Sequence, residues 1–398
     1  MNSNLNKLQP YPFLKLRKLF NGITPNPVYS SIGLHIGEPK HATPDFICQA
    51  IADNLDKIAS YPTTHGLESL RNRIAVWLTQ RYRLPAINPD TEVIPVNGSR
   101  EALFSFAQTV IDTSSPNPVV VCPNPFYQIY EGAALLAGAI PDFINTLPDS
   151  NFALDFSQLS DETWSRTQLI YVCSPNNPTG RVMSMDEWRQ LFALSDRYGF
   201  VIAADECYSE IYSDETKPPL GALEAAHYLG RNGFPRLVVF SSLSKRSNVP
   251  GMRSGFVAGD AAILKEYLLY RTYHGCTMNP AVQAASAAAW GDELHVAENR
   301  RQYREKFSKA MISLEGTMPV SMPDAAFYFW AKTPASDLEF TKQLYRDYNV
   351  TVLPGSYLAR NVRGINPGKN FVRVALVAPL APCMEAIDRI KSLVRSQI

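Results

Sequence analysis

The chain is poor in several features that would have named a function outright. Lys+Arg 38 against Asp+Glu 37 leaves a net charge of +1, so no global field draws in nucleic acid or an anionic membrane, and a small-molecule partner is expected. No apolar window approaches the roughly 20 residues needed to span a bilayer. The opening "MNSNLNKLQPYPFLKLRKLF" carries no apolar leader core, which predicts a soluble, cytoplasmic protein. Six cysteines and six histidines are scattered without CxxC, HxH or HxxxH spacing; structural thiols and no metal are the expectation. There is no GxGxxG after a strand, and "RGINPGKN" has the wrong spacing for a P-loop, so a nicotinamide or ATP enzyme is disfavoured.

What is present is an alternation of short apolar runs with longer helical patterns. The runs are "PVVVCPNP" (118–125), "QLIYVCSP" (168–175), "GFVIAADE" (199–206), "RLVVFSSLSK" (236–245) and "SGFVAGD" (254–260). Continuous rather than alternating apolarity marks strands covered on both faces, hence a mostly parallel sheet in an α/β domain. Between them "SMDEWRQLFALSDRYG" reads as a helix capped by Ser184 and ended by Gly199. After about residue 280 the pattern changes to one long helical tract followed by short strands around "AAFYFWAKTP" and "NVTVLPGSYLA". At 398 residues one core is too small a container. We expect a large α/β domain at 41–285, and a smaller α+β domain made of 1–40 and 286–398.

Polar residues stand at the carboxyl ends of these strands, the edge where open α/β sheets bind ligands. In "IPVNGSREALF", Gly98 and Ser99 precede a helix whose first N–H groups can cradle an anion. Ser242, Ser244 and Arg253 add hydroxyls and a guanidinium suited to a phosphate dianion. Lys245 stands among them at the end of an apolar strand, where burial and a nearby arginine disfavour the ammonium form and favour a nucleophilic amine. Asp205 and Tyr208 follow a wholly apolar strand, and a buried carboxylate needs a cationic partner. Asn177 is presented by the turn "CSPNNPTG". Singly, Asp205 reads as a helix cap and Asn177 as a turn residue; together with a lysine and a phosphate cup they fit pyridoxal 5′-phosphate (PLP).

The same segments resemble class I aminotransferases, a group of fold-type I PLP enzymes. "LHIGEPKHATP", "YPTTHGLESLRNRIA", "VNGSREALF", "CPNPFYQIY", "CSPNNPTG", "ADECYSEIY", "SSLSKRSNVPGMRSGF" and "FVRVAL" occur in that family's order along the whole chain. The resemblance implies a mostly parallel seven-stranded sheet covered by helices plus a small α+β domain. It implies Lys245 as the residue bonded to PLP, Asp205 beside the ring nitrogen, and Tyr208 and Asn177 beside the ring hydroxyl. Ser99 and Arg100 through backbone amides, with Ser242, Ser244 and Arg253, would hold the phosphate, and Tyr127 would stack on the ring. Tyr61 would reach the neighbouring subunit's phosphate, implying a homodimer with shared sites. Arg373 would grip the substrate carboxylate, with Gly37 and Asn177 alongside.

Finer segments, among them "ASYPTTHGLESLR", "YRTYHGCTM" and "TVLPGSYLAR", resemble the bacterial succinyldiaminopimelate aminotransferases of lysine biosynthesis. That implies transamination between N-succinyl-LL-2,6-diaminopimelate and 2-oxoglutarate, with Arg246, Arg271 and His274 as candidates for the succinyl carboxylate. The alternatives are another class I aminotransferase (acetylornithine, aromatic or alanine type) or a PLP β-lyase. A PLP-sensing transcription regulator is disfavoured by the near-zero charge and the lack of a DNA-binding segment before the first motif.

Overall fold

The computed structural model describes residues 1–396. Its centre is a seven-stranded sheet in the order Val93–Val96, Gly255–Gly259, Leu237–Ser242, Val201–Asp205, Thr167–Cys173, Val119–Asn124 and Ile140–Asn145. Only Gly255–Gly259 runs antiparallel to its neighbours; the remaining pairings are parallel. The apolar runs are continuous because both faces are covered. Val119 and Val121 enter a core with Trp188 and Leu191, while Val120 and Cys122 enter an opposite core with Phe106 and Tyr130. Successive side chains of a strand point to opposite faces, so a doubly covered strand must be apolar at every position.

The helix expected after Ser184 spans Met185–Tyr198. The Ser184 hydroxyl accepts the Glu187 amide, and the Glu187 carboxylate accepts the Ser184 amide in return. Gly199 closes the helix at φ 81°, a left-handed turn that costs glycine nothing. The long tract after residue 280 is two helices rather than one, Pro280–Trp290 and Leu294–Leu314. Gly291 ends the first, and Asp292 accepts the His295 amide just inside the second, so a local cap competes with continuation.

A three-stranded antiparallel sheet, Leu353–Pro354, Phe371–Ala375 and Tyr328–Lys332, carries a separate core of Phe307, Phe329, Phe340, Leu344 and Ile387. The N-terminal segment joins it through Ile32–Gly33, which pairs parallel with Val350–Thr351, and through the Leu34 carbonyl, which accepts the Ala375 amide at 2.8 Å. All six cysteines are free. Among the described residues no helix is long and apolar enough to cross a membrane.

Candidate active site

Strand register, parallel in the first two pairs and antiparallel in the third, brings these residues into line. Cys173 lies opposite Asp205, Asp205 opposite Phe240, and Ser242 opposite Gly255. A cavity of about 570 Å3 opens over this edge. Of the residues singled out in the sequence, Gly37, Ser99, Arg100, Tyr127, Asn177, Asp205, Tyr208, Ser242, Ser244, Lys245, Arg253 and Arg373 line it. Tyr61 does not, and its side chain is fully exposed.

The cup at one end is built from backbone conformation. Gly98 has φ 88° and ψ 153° just before the helix Ser99–Val110, a region of the map almost closed to other residues. A Cβ there would stand 2.5 Å from Arg253 Nη2, so glycine is needed for space as well as for torsion. Arg253, itself at φ 54°, is held by the Pro250 carbonyl at 2.8 Å and the Asn97 carbonyl at 3.3 Å. The first N–H groups of the helix have no intrahelical partner, and with the Ser242 and Ser244 hydroxyls they complete a donor set that suits a phosphate.

Lys245 lies in the short helix Leu243–Arg246 directly after its strand. Its ammonium donates to the Gly37 carbonyl at 2.5 Å and stands 5.7 Å from the centre of the Phe327 ring. Burial above all, with Arg373 and Arg253 adding their charges, pushes the Lys245 pKa below the ordinary lysine value. Asp205 is also fully buried, and that burial raises its carboxyl pKa. The Tyr130 hydroxyl donates to it at 2.7 Å and the Cys207 amide at 3.3 Å. Among the described residues no arginine or lysine forms an ion pair with it; a buried carboxylate in this position fits a cationic ring nitrogen.

At the other end Arg373 is 4% exposed. It donates to Asn177 Oδ1 and to the His35 carbonyl, each at 2.8 Å, while its Nε is buried with no partner. Beside it the Tyr208 and Tyr328 hydroxyls hydrogen-bond at 2.8 Å, and the Arg373 guanidinium lies 4.5 Å from the Tyr328 ring centre. Burial and the neighbouring phenol keep Tyr208 protonated, with its pKa well above the ordinary value.

Sequence reasoning missed Tyr328, Tyr130 and Glu38. Tyr328 lies in "AAFYFWAKTP", whose apolarity marks a strand but not a side chain that faces the site from another sheet. Tyr130 sits one helical turn beyond the Tyr127 motif, and that spacing was the available signal.

The three cations expected to read a succinyl group are placed elsewhere. Arg246 is internal, pairing with Glu293 and the Ala289 carbonyl between Trp77 and Trp290. Arg271 is fully buried and donates to Glu101 and, at 2.7 Å, to the Cys276 carbonyl. His274 stacks on Tyr270. None of the three lines the cavity. Each is engaged by local partners that a linear sequence does not show.

A large mostly parallel sheet with a lysine, a buried aspartate and an anion cup at its carboxyl edge defines a PLP-dependent transferase of fold type I. Residues 29–390 match the family model "Aminotransferase class I and II", and the chain belongs to that family and depends on PLP. It is 29% identical over 396 residues to the LL-diaminopimelate aminotransferase of Maridesulfovibrio salexigens, covering 97% of both chains. It is 30% identical over 393 residues to the enzyme of that name from Nitratidesulfovibrio vulgaris, with 97% of each covered. Among solved structures, an aminotransferase from Neisseria meningitidis superposes with a TM-score of 0.96 at 51% identity, over 99% of this chain and 100% of that one. The curated relatives therefore overturn the expectation of a succinylated substrate: they are named for LL-diaminopimelate itself. The absence of the three expected cations from the cavity agrees with that correction.

Proposed function

We propose that this enzyme exchanges an amino group between LL-diaminopimelate and a 2-oxo acid, a reversible transfer that runs towards LL-diaminopimelate in diaminopimelate and lysine biosynthesis. The observation that carries the reading is Arg373, a buried guanidinium without a carboxylate partner among the described residues, lining the same cavity as Lys245. A buried arginine of this kind is costly unless an anion completes it. The α-carboxylate of an amino acid supplies that anion in a bidentate geometry. Free diaminopimelate carries a second ammonium and carboxylate, for which Glu38 and Arg100 on the cavity wall offer opposite charges.

When bound, PLP supplies an aldehyde carbon that takes up the amino group and a ring that draws electrons from the substrate α-carbon. Ser99, Arg100, Ser242, Ser244 and Arg253 would hold its phosphate, and Tyr127 would cover its ring. Asp205 would keep a proton on the ring nitrogen, and Tyr208 and Asn177 would bind the ring hydroxyl. Lys245, with its amine shifted towards neutrality, would be the residue bonded to the cofactor and the base that moves a proton at the substrate α-carbon. Gly37 lets the substrate lie against the backbone. The exposed Tyr61 would reach the partner subunit's phosphate in a homodimer, and we propose domains at 41–285 and at 1–40 with 286–398.

The test is a panel of amino donors with 2-oxoglutarate, read as glutamate formed. LL-diaminopimelate should give the highest kcat/KM, about tenfold or more above acetylornithine, tyrosine and alanine, a margin of about 1.4 kcal/mol. A better donor among those three would sink the substrate assignment. Pyruvate and ammonia from a sulfur amino acid, with no glutamate from any donor, would sink transamination altogether.

A further inference from the structure

The short segment 37–42 walls two cavities. Gly37 and Glu38 line the active site, while Lys40, His41 and Ala42 line a second cavity of about 330 Å3. The second cavity is closed on its other side by the helix Leu294–Leu314, which contributes Arg301 and Lys306. Lys306 is 2% exposed. Its ammonium donates to His41 Nε2 at 2.7 Å and to the Leu376 carbonyl at 3.1 Å, and it stands 5.0 Å from the centre of the Tyr303 ring. No carboxylate among the described residues pairs with it. His41 does not supply the missing charge, since its Nε2 accepts from Lys306 and burial holds it largely neutral. At the rim Lys40 pairs with Glu38 and Arg301 with Glu298 and Glu305, so the buried Lys306 is the cation lining this cavity that has no carboxylate among the described residues.

We propose that this cavity binds a phosphate-class dianion, inorganic phosphate or a small phosphate monoester, and that occupancy alters substrate binding in the active site. Compact ammonium groups suit such a dianion, and the volume leaves room for an ester. Three connections lead from the cavity to the catalytic groups. Lys40 pairs with Glu38 of the active-site wall, so an anion that draws Lys40 away releases Glu38. The His41 Nδ1–H donates to Asn299 Oδ1 at 2.7 Å, and Asn299 Nδ2 donates to the Lys245 carbonyl at 3.2 Å. Lys306 holds Leu376, three residues beyond Arg373 on the same segment. The two alternative partners of Lys40 are the differential contact that coupling between sites requires.

Calorimetry on the PLP-loaded enzyme at constant ionic strength tests this directly, with sodium phosphate in one arm, glycerol phosphate in another and sodium chloride as control. One anion per chain should bind, and at saturation the KM for glutamate should change by about fivefold or more. Arg301→Gln, at the exposed rim, and Lys306→Met should each weaken binding by about tenfold, the loss of one charge-assisted contact. Arg301→Gln should leave turnover without phosphate unchanged, which covers the case of a Lys306 variant that does not fold. Tighter binding of the ester than of phosphate would identify the ester as the ligand, and the reverse would identify free phosphate. Absence of binding in both arms, unaltered binding in both variants, or heat that merely tracks loss of the PLP absorbance would overturn the site. Binding with an unchanged KM would overturn the coupling. Because binding is read without LL-diaminopimelate, failure here is separate from failure of the substrate assignment.

Discussion

Gly98→Ala should cripple cofactor binding while leaving the fold in place. The added methyl would lie 2.5 Å from Arg253 Nη2 and 3.0 Å from its Cζ, closer than van der Waals contact allows, so the guanidinium must leave the cup. Two costs follow from different sources. The backbone at φ 88°, ψ 153° is nearly closed to alanine and costs about 1–3 kcal/mol of stability whether or not PLP is bound. Displacing Arg253 removes a charged hydrogen bond to the phosphate worth about 1.5–3 kcal/mol, which is about 10- to 150-fold in PLP affinity. Equilibrium titration of the apoenzyme, followed by the absorbance of bound PLP, reads the second cost; urea unfolding of the apoenzyme reads the first. Arg253→Ala should show the affinity loss without the stability loss, and the double variant should bind PLP no more weakly than Arg253→Ala alone by more than about threefold. Wild-type PLP affinity in Gly98→Ala would refute the cup as described, and so would full additivity in the double variant.

Two further variants probe the buried groups around the site. Gly37→Ala would set a methyl 2.0 Å from the Tyr328 hydroxyl oxygen, which is pinned by Tyr208; kcat/KM should fall by about 100-fold. Part of that loss should return in Gly37→Ala/Tyr328→Phe, where the clashing oxygen is gone, and no recovery would reject the steric cause. Glu206 is fully buried, and burial raises its pKa to about 7, against opposing hydrogen bonds from the Ala222 amide and the Tyr82 hydroxyl. The folded carboxyl keeps a proton that the unfolded chain gives up near its ordinary 4.5, so stability falls as pH rises between those values and is level above them. Glu206→Gln should therefore gain up to about 3 kcal/mol over the wild type at pH 8 and nothing below pH 4.5. A gain independent of pH in urea unfolding would reject the titration.

How much of this was legible in the sequence depends on how far each feature is a local property. The strands ending at Cys173, Asp205 and Ser242 were readable because both their faces are buried and a continuous apolar run fills the middle of each. Ile140–Asn145 was not read as a strand: it pairs on one side only, its first residue is exposed, and an edge strand carries a weaker apolar signal. Lys245, Asp205 and the phosphate cup were readable because they sit at strand ends with distinctive neighbours. Tyr328 was not, since its approach to Tyr208 spans 120 residues. Arg246 and Arg271 were candidates for the succinyl carboxylate because the sequence does not show that Glu293 and Glu101 come back to pair with them. The substrate was the least legible feature, because distal recognition depends on which charged side chains line the cavity and not on the motifs that hold PLP.

The central claim is that Lys245 bonds the cofactor on which amino transfer depends. Borohydride reduction of the PLP-loaded enzyme, followed by proteolysis and mass analysis, measures this directly. A pyridoxyl group fixed on the Lys245 peptide alone, absent after prior conversion of the cofactor by LL-diaminopimelate, is the predicted result. Label on any other lysine, or none on Lys245 in an enzyme that still transfers amino groups, would contradict it.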